Sequence, residues 1–322
     1  MHLKKPKWKR LAIVSAAFLL VSVGTLLYLS FSRFHFSNQA FPSLASFQWK
    51  RAPNNGIAVC PVIIGHRGSG LESANHDLLI GSTANAIQRA IDAGVDWIEI
   101  DIRLSRDGHL VAFHDETIDA KTSGEGMVSE LSLEELQNVE VLVDPPESIL
   151  SLDEVFSRFH AHDRKWVLDV KVNGIKDQVL EWVKRRLPKE RVILFGTYDI
   201  LQEYKGSGYS LGYTALWKNF GNRMRVLLAP QEVIRRCENV ECKVLVLPVI
   251  FANRSLVEAA ETRGIEVWVY NTDDELDLRY LAGRGVSGFI VDRPQQVVNC
   301  FPDCSSQAPS GSDGHAVNRS DR

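Results

Sequence analysis

Four short stretches hold residues able to do chemistry together: Gly65-His66-Arg67-Gly68, Ile98-Glu99-Ile100-Asp101, Phe113-His114-Asp115 and Leu168-Asp169-Val170-Lys171. Glu99 and Asp101 are two apart, so on a strand both side chains leave one face while Ile98, Ile100 and Ile102 leave the other. Asp169 and Lys171 repeat that spacing. Carboxylates converging on one point repel unless a cation lies between them, and an all-oxygen set suits Mg²⁺ or Ca²⁺ better than Zn²⁺. Alone, Glu-x-Asp is more often an ion-pair network, here with Arg67, Arg103 or Lys171. His66 and His114 suit proton transfer near neutral pH, although a single His at a strand end is more often a structural hydrogen-bonder. Together, two histidines, Arg67, Lys171 and three carboxylates provide a base, an acid, donors for phosphate oxygens and a metal site. Those are the parts needed to hydrolyse a phosphodiester.

The elements that must position these groups are eight β-rich apolar runs: 62–65, 97–102, 166–171, 191–195, 210–213, 243–247, 266–270 and 288–291. Segments of helical period alternate with them, as at 83–92, 253–263 and 273–283, which points to parallel strands with crossover helices. Eight such units over about 240 residues match a (β/α)₈ TIM barrel, with a doubly wound open sheet as the alternative. In a barrel, the carboxyl ends of the strands form the mouth, and the charged stretches above fall at those ends. An extra strand is expected over 109–114. The Gly-, Ser- and Glu-rich stretch 115–150 then reads as an insertion after the second strand.

The chain has 322 residues and a net charge of -3, but Lys4, Lys5, Lys7, Lys9 and Arg10 leave the remaining 312 residues at -8. An acidic body excludes a basic nucleic-acid footprint, so no nucleic-acid partner is expected. Residues 11–31 are uncharged and apolar, long enough as a helix to cross a bilayer. The basic residues before them put the amino terminus in the cytoplasm and the rest beyond the membrane. A cleaved signal peptide is the alternative, with a normally shorter apolar core. The expected organisation is a basic end (1–10), a transmembrane anchor (11–31), a stalk (32–59), a barrel (60–300) and a disordered tail (301–322). Short-loop disulfides Cys237/Cys242 and Cys300/Cys304 are one possible pairing outside the cytosol, leaving Cys60 unpaired.

The ordered series Ile64-Gly65-His66-Arg67-Gly68, Ser82-Thr83, Ala93-Gly94-Val95-Asp96-Trp97-Ile98-Glu99-Ile100-Asp101, Asp107-Gly108, His114-Asp115, Leu168-Asp169-Val170-Lys171, Trp268-Val269-Tyr270-Asn271 and Asp292-Arg293-Pro294 resembles the glycerophosphodiester phosphodiesterase family over about 62–298. The resemblance implies a TIM barrel that hydrolyses glycerophosphodiesters to glycerol 3-phosphate and an alcohol. It implies His66 and His114 as the acid/base pair, Glu99, Asp101 and Asp169 as ligands of one divalent cation (Ca²⁺ or Mg²⁺), and Arg67, Lys171 and Trp268 as substrate contacts. A substrate hydroxyl would attack phosphorus to give a cyclic phosphate, which water opens. Two departures stand out. Gly81-Ser82-Thr83 replaces the usual Glu-Asn-Thr, and Asp169 replaces a usual Glu, with one methylene less reach. Lysophospholipids, which a membrane tether brings close, are an alternative substrate, and a barrel that binds phosphodiesters without turnover is the rival reading. A phosphodiesterase of inositol or sphingomyelin lipids fits the 268–294 ending less well.

Overall fold

In a computed structural model of the chain, residues 60–72, 79–160, 162, 164–215 and 229–301 are described, all within one compact unit, Arg51–Arg322. The expected basic end, anchor and stalk, and the tail from residue 302, lie outside the described residues. Among the described residues no helix is long and apolar enough to cross a membrane.

Eight parallel strands form the barrel: β1 (Val62–Gly65), β2 (Trp97–Leu104), β3 (Lys165–Val170), β4 (Val192–Gly196), β5 (Ser210–Thr214), β6 (Val244–Pro248), β7 (Glu266–Tyr270) and β8 (Gly288–Val291). Each pairs with the next, and the sheet closes because β1 pairs with both β8 (Ile64 with Ile290) and β2 (Ile64 with Trp97). An open sheet has no such closing pair, so the open-sheet alternative is set aside.

Alternation along the strands builds two cores. The outward residues Ile98, Ile100, Ile102, Leu168 and Val170 pack under the surrounding helices. The inward residues Ile64, Trp97, Val167, Ile193, Phe195, Val244, Val246, Trp268 and Ile290 fill the barrel. Two inward positions are glycine because rings occupy their space: a Cβ on Gly212 would lie 2.2 Å from the Phe195 ring, and one on Gly288 would lie 2.6 Å from Trp268. Around the barrel run α1 (Ala84–Ala93), α2 (Leu152–Phe159), α3 (Lys176–Arg186), α4 (Tyr198–Tyr204), α5 (Pro230–Asn239), α6 (Arg254–Glu261), α7 (Glu275–Ala282) and α8 (Pro294–Val297). α1 shows why such segments are helical. The Thr83 hydroxyl accepts from the Ala86 N–H, Ala86, Ile87, Ala90 and Ile91 form one buried face, and Gly94 ends the helix at φ 81°.

After β2 the chain turns back as Leu110–Ala112, antiparallel to β2, which is shorter than the strand expected over 109–114. The 115–150 insertion then gathers Ile118, Val128, Leu136 and Val141 with Val111 and Phe113 into a core of its own. Cys237 and Cys242 form the expected disulfide. The other pairing is corrected. Cys300 is a buried free thiol turned toward the Gln296 carbonyl in its own helical turn, whereas Cys60 is disulfide-bonded.

Candidate active site

The site begins with a tight turn. Past β1, Arg67 takes up the left-handed region (φ 52°), a conformation that costs a non-glycine residue of order 1 kcal/mol or more. Hydrogen bonds hold it there: the Arg67 N–H donates to Glu99 Oε2 (2.7 Å), and the Arg67 carbonyl accepts from the Ser82 N–H (2.7 Å). The next residue, Gly68, donates its N–H to the Glu99 carbonyl (3.0 Å). The turn thereby ties the end of β1 to the acidic strand β2.

Register does the rest. Asp101 on β2 lies opposite Asp169 on β3, and Glu99 shares their inward face. One oxygen from each of Glu99, Asp101 and Asp169 falls within 4.8 Å of the others, with the three residues 3%, 1% and 8% exposed. Lys171 Nζ bridges Asp101 Oδ1 (2.9 Å) and Asp169 Oδ2 (2.5 Å). Arg67 Nε sits 3.0 Å from Asp101 Oδ2 without the alignment of a hydrogen bond, so that buried oxygen has no hydrogen-bond partner. Burial, reinforced by Asp101, pushes the Glu99 carboxyl well above the usual carboxylate range. Burial alone would raise Asp101 too, but the Lys171 and Arg67 cations hold it far below that range. The residues present fit a hard divalent cation: all donors are oxygen, one of them is orphaned, and three carboxylates outweigh two cations. Two oxygens on one Ca²⁺ can lie about 5 Å apart, so the spacing is within reach of a single ion.

Each histidine has a carboxylate at Nδ1. His66 Nδ1 lies 2.6 Å from Asp292 Oδ1, one residue past β8. The Asp273 carboxylate in turn accepts the N–H groups of Asp292 and Arg293, both at 3.1 Å. His114 Nδ1 bonds Asp115 Oδ1, and Asp115 Oδ2 is 2.8 Å from Lys121 Nζ. The Arg103 guanidinium donates to the His114 carbonyl at 2.9 Å, and the Phe113 N–H bonds the Asp101 carbonyl at 3.1 Å, so His114 is fastened to β2. Burial and Arg67 act to lower His66, but Asp292 and Glu99 outweigh them and its pKa ends above the ordinary value. Burial outweighs Asp115 at His114, which ends below it. With Nδ1 engaged in both rings, Nε2 is the nitrogen left for exchange with a substrate.

The chain matches the glycerophosphoryl diester phosphodiesterase family over residues 66–296. It belongs to that family. A glycerophosphodiester phosphodiesterase from Caldanaerobacter subterraneus subsp. tengcongensis is 29% identical over 252 residues, which are 74% of this chain and 96% of that relative. The crystal structure of a glycerophosphodiester phosphodiesterase from Thermotoga maritima superposes with TM-score 0.59 at 27% identity, covering 74% of this chain and 97% of that one. A phosphodiesterase from Oleispira antarctica, solved with the product sn-glycerol-3-phosphate, superposes with TM-score 0.62 at 23% identity, covering 76% and 97%.

The first departure from the family's pattern has a local cause. A Cβ at Gly81 would lie 2.4 Å from the Arg67 Cβ, so no glutamate fits where Arg67 approaches this closely, while Thr83 keeps its role as the cap of α1. Asn75, His76 and Asp77 of the preceding loop lie outside the described residues. Of the expected site residues, His66, Arg67, Glu99, Asp101, His114, Asp169 and Lys171 come to the carboxyl-terminal mouth. Trp268 does not join them. It is 2% exposed inside the barrel, 6.0 Å from the Trp97 ring and 5.6 Å from the Phe195 ring, with Nε1 donating to Glu266 Oε2 at the opening end of β7. Tyr270 is the next inward residue toward the mouth. Four partners carry no assignment from sequence: Asp115, Lys121, Asp273 and Asp292. Asp292 had a signal, since it continues the inward alternation of β8 two residues beyond Ile290.

Proposed function

We propose that this enzyme hydrolyses glycerophosphodiesters to glycerol 3-phosphate and an alcohol, with His66 and His114 exchanging protons and Arg67 and Lys171 contacting phosphate oxygens. The observation that carries the reading is the pairing of two carboxylate-anchored histidines with a buried acidic triad, in a chain of this family. A hydroxyl next to the phosphate attacks phosphorus while one histidine takes its proton at Nε2. The other histidine, protonated, gives a proton to the oxygen of the departing alcohol, and a cyclic phosphate results. Water then opens that ring with the two histidines in exchanged roles. Glu99, Asp101 and Asp169 would hold a divalent cation, which supplies neutralisation of charge on nonbridging oxygens. Arg67 and Lys171 act on the same oxygens and keep the acidic cluster from repelling the substrate anion.

In the same reading, residues 11–31 anchor the enzyme with its amino terminus in the cytoplasm and its barrel beyond the membrane. The basic residues that precede this segment support it, as does the Cys237–Cys242 disulfide, a bond typical of oxidising compartments. The test of the catalytic roles uses the full chain in detergent with a divalent ion and glycerophosphocholine. His66→Ala and His114→Ala each lower kcat by about 10²–10⁴ with an unchanged circular dichroism spectrum. Wild-type turnover in both variants would falsify the assignment.

A further inference from the structure

The insertion does more than decorate the barrel. Its own core buries Ile118 completely and fixes the neighbouring backbone: the Lys121 N–H donates to the Ile118 carbonyl (3.2 Å), and the Lys121 carbonyl accepts from the Leu142 N–H (2.9 Å). From that platform the Lys121 side chain, 12% exposed, reaches back to the barrel mouth and meets Asp115. The two Asp115 oxygens have separate duties, Oδ1 to His114 Nδ1 and Oδ2 to Lys121 Nζ at 2.8 Å. A carboxylate held at both oxygens cannot rotate without breaking a contact, so its plane, and the ring bonded to it, are fixed. Burial, reinforced by the Arg67 cation, pulls Lys121 below the ordinary lysine range, the mark of a cation kept out of water, and Asp115 is the carboxylate paired with it.

The other histidine shows what the contact replaces. Asp292, which serves His66, is anchored through its own backbone N–H by the Asp273 carboxylate. Asp115 follows His114 directly and has Lys121 at its second oxygen instead.

We propose that Lys121 is a positioning residue through which the 115–150 insertion orients Asp115 and holds His114 as the Nδ1–H tautomer, with Nε2 presented to substrate. This rests on the reading of His114 as an acid/base group. Lys121 itself touches no reacting atom in this account, and the ring nitrogen bonded to the carboxylate is the one that carries the proton.

The experiment compares wild type, Lys121→Met and Lys121→Arg, each as the full chain with glycerophosphocholine and a divalent ion, and reads the His114 ring by ¹⁵N NMR at pH 8. Loss of a residue that orients a functional group through another commonly costs 10- to 100-fold in activity. Lys121→Met is expected to lower kcat by about that factor with KM within about twofold, and Lys121→Arg to restore kcat to within about threefold of wild type. The wild-type ring is expected to be protonated at Nδ1, and the methionine variant to show a mixture of tautomers. A raised KM with kcat retained assigns Lys121 to substrate binding and overturns the proposal, as does a methionine variant with wild-type kinetics. A folded Lys121→Arg chain with kcat down more than about tenfold, or a wild-type ring protonated at Nε2, overturns it whatever the methionine variant does. Absence of turnover in the wild-type chain overturns the activity reading instead, and the ring measurement alone then judges the contact.

Discussion

Replacing Trp268 by alanine separates a core residue from a pocket residue. The indole is 2% exposed, packed between the Trp97 and Phe195 rings, and faces Gly288, which has no side chain to move into the space left behind. Truncating a buried Trp costs about 3–5 kcal/mol when its surroundings relax only partly. The lost hydrogen bond to Glu266 adds little, because that carboxylate belongs to an exposed residue and can turn to water. For a barrel of this size, 1 kcal/mol moves Tm by about 2–4 °C, so the variant is expected to melt roughly 10 °C below wild type. Thermal melts followed by circular dichroism measure the loss. Kinetics on glycerophosphocholine, taken below both transitions, measure what happens at the mouth, and KM is expected within about twofold of wild type. A variant that melts within about 2 °C of wild type yet shows a tenfold higher KM would place Trp268 against the substrate and refute the packing argument.

Asp273 makes stability depend on pH. Burial, reinforced by Asp292, pushes it up to about 6 from an ordinary 3.8, so the folded chain holds this proton more tightly than the unfolded chain. The resulting penalty is absent below about 3.8 and complete above about 6, at most about 3 kcal/mol given 1.36 kcal/mol per pH unit. Asp273→Asn is therefore expected to gain stability relative to wild type as pH rises from 4 to 7, read by urea denaturation at each pH, and a pH-independent difference refutes the shift. A divalent ion at a hundred times its Kd is expected to add about 2.7 kcal/mol and raise Tm by roughly 5–10 °C. Asp169→Asn should blunt that response, and a wild-type Tm indifferent to both Ca²⁺ and Mg²⁺ contradicts the cation reading.

The strands were legible because each is a short, mostly apolar, β-rich run, and all eight appear within two residues of their expected bounds. Two-residue spacing likewise revealed Glu99, Asp101, Asp169 and Lys171, since strand geometry alone turns such pairs to one face. Closure of the sheet was beyond sequence reading, as it depends on registers between residues as remote as Ile64 and Ile290. Asp292 escaped for the same reason, lying 226 positions from the histidine it serves. Trp268 illustrates another limit: alternation tells which face a side chain leaves, but its depth along the barrel axis follows from the register of the neighbouring strands. Sequence proximity misled at the cysteines, where Cys300 points its thiol along its own helical turn.

The most direct measurement follows the phosphorus. With the full chain, a divalent ion and glycerophosphocholine, ³¹P NMR is expected to show the substrate signal replaced by that of glycerol 3-phosphate, with free choline released in equal amount. Phosphocholine and glycerol as products, which require cleavage of the other phosphoester bond, or an unchanged substrate signal over many hours, would contradict the account.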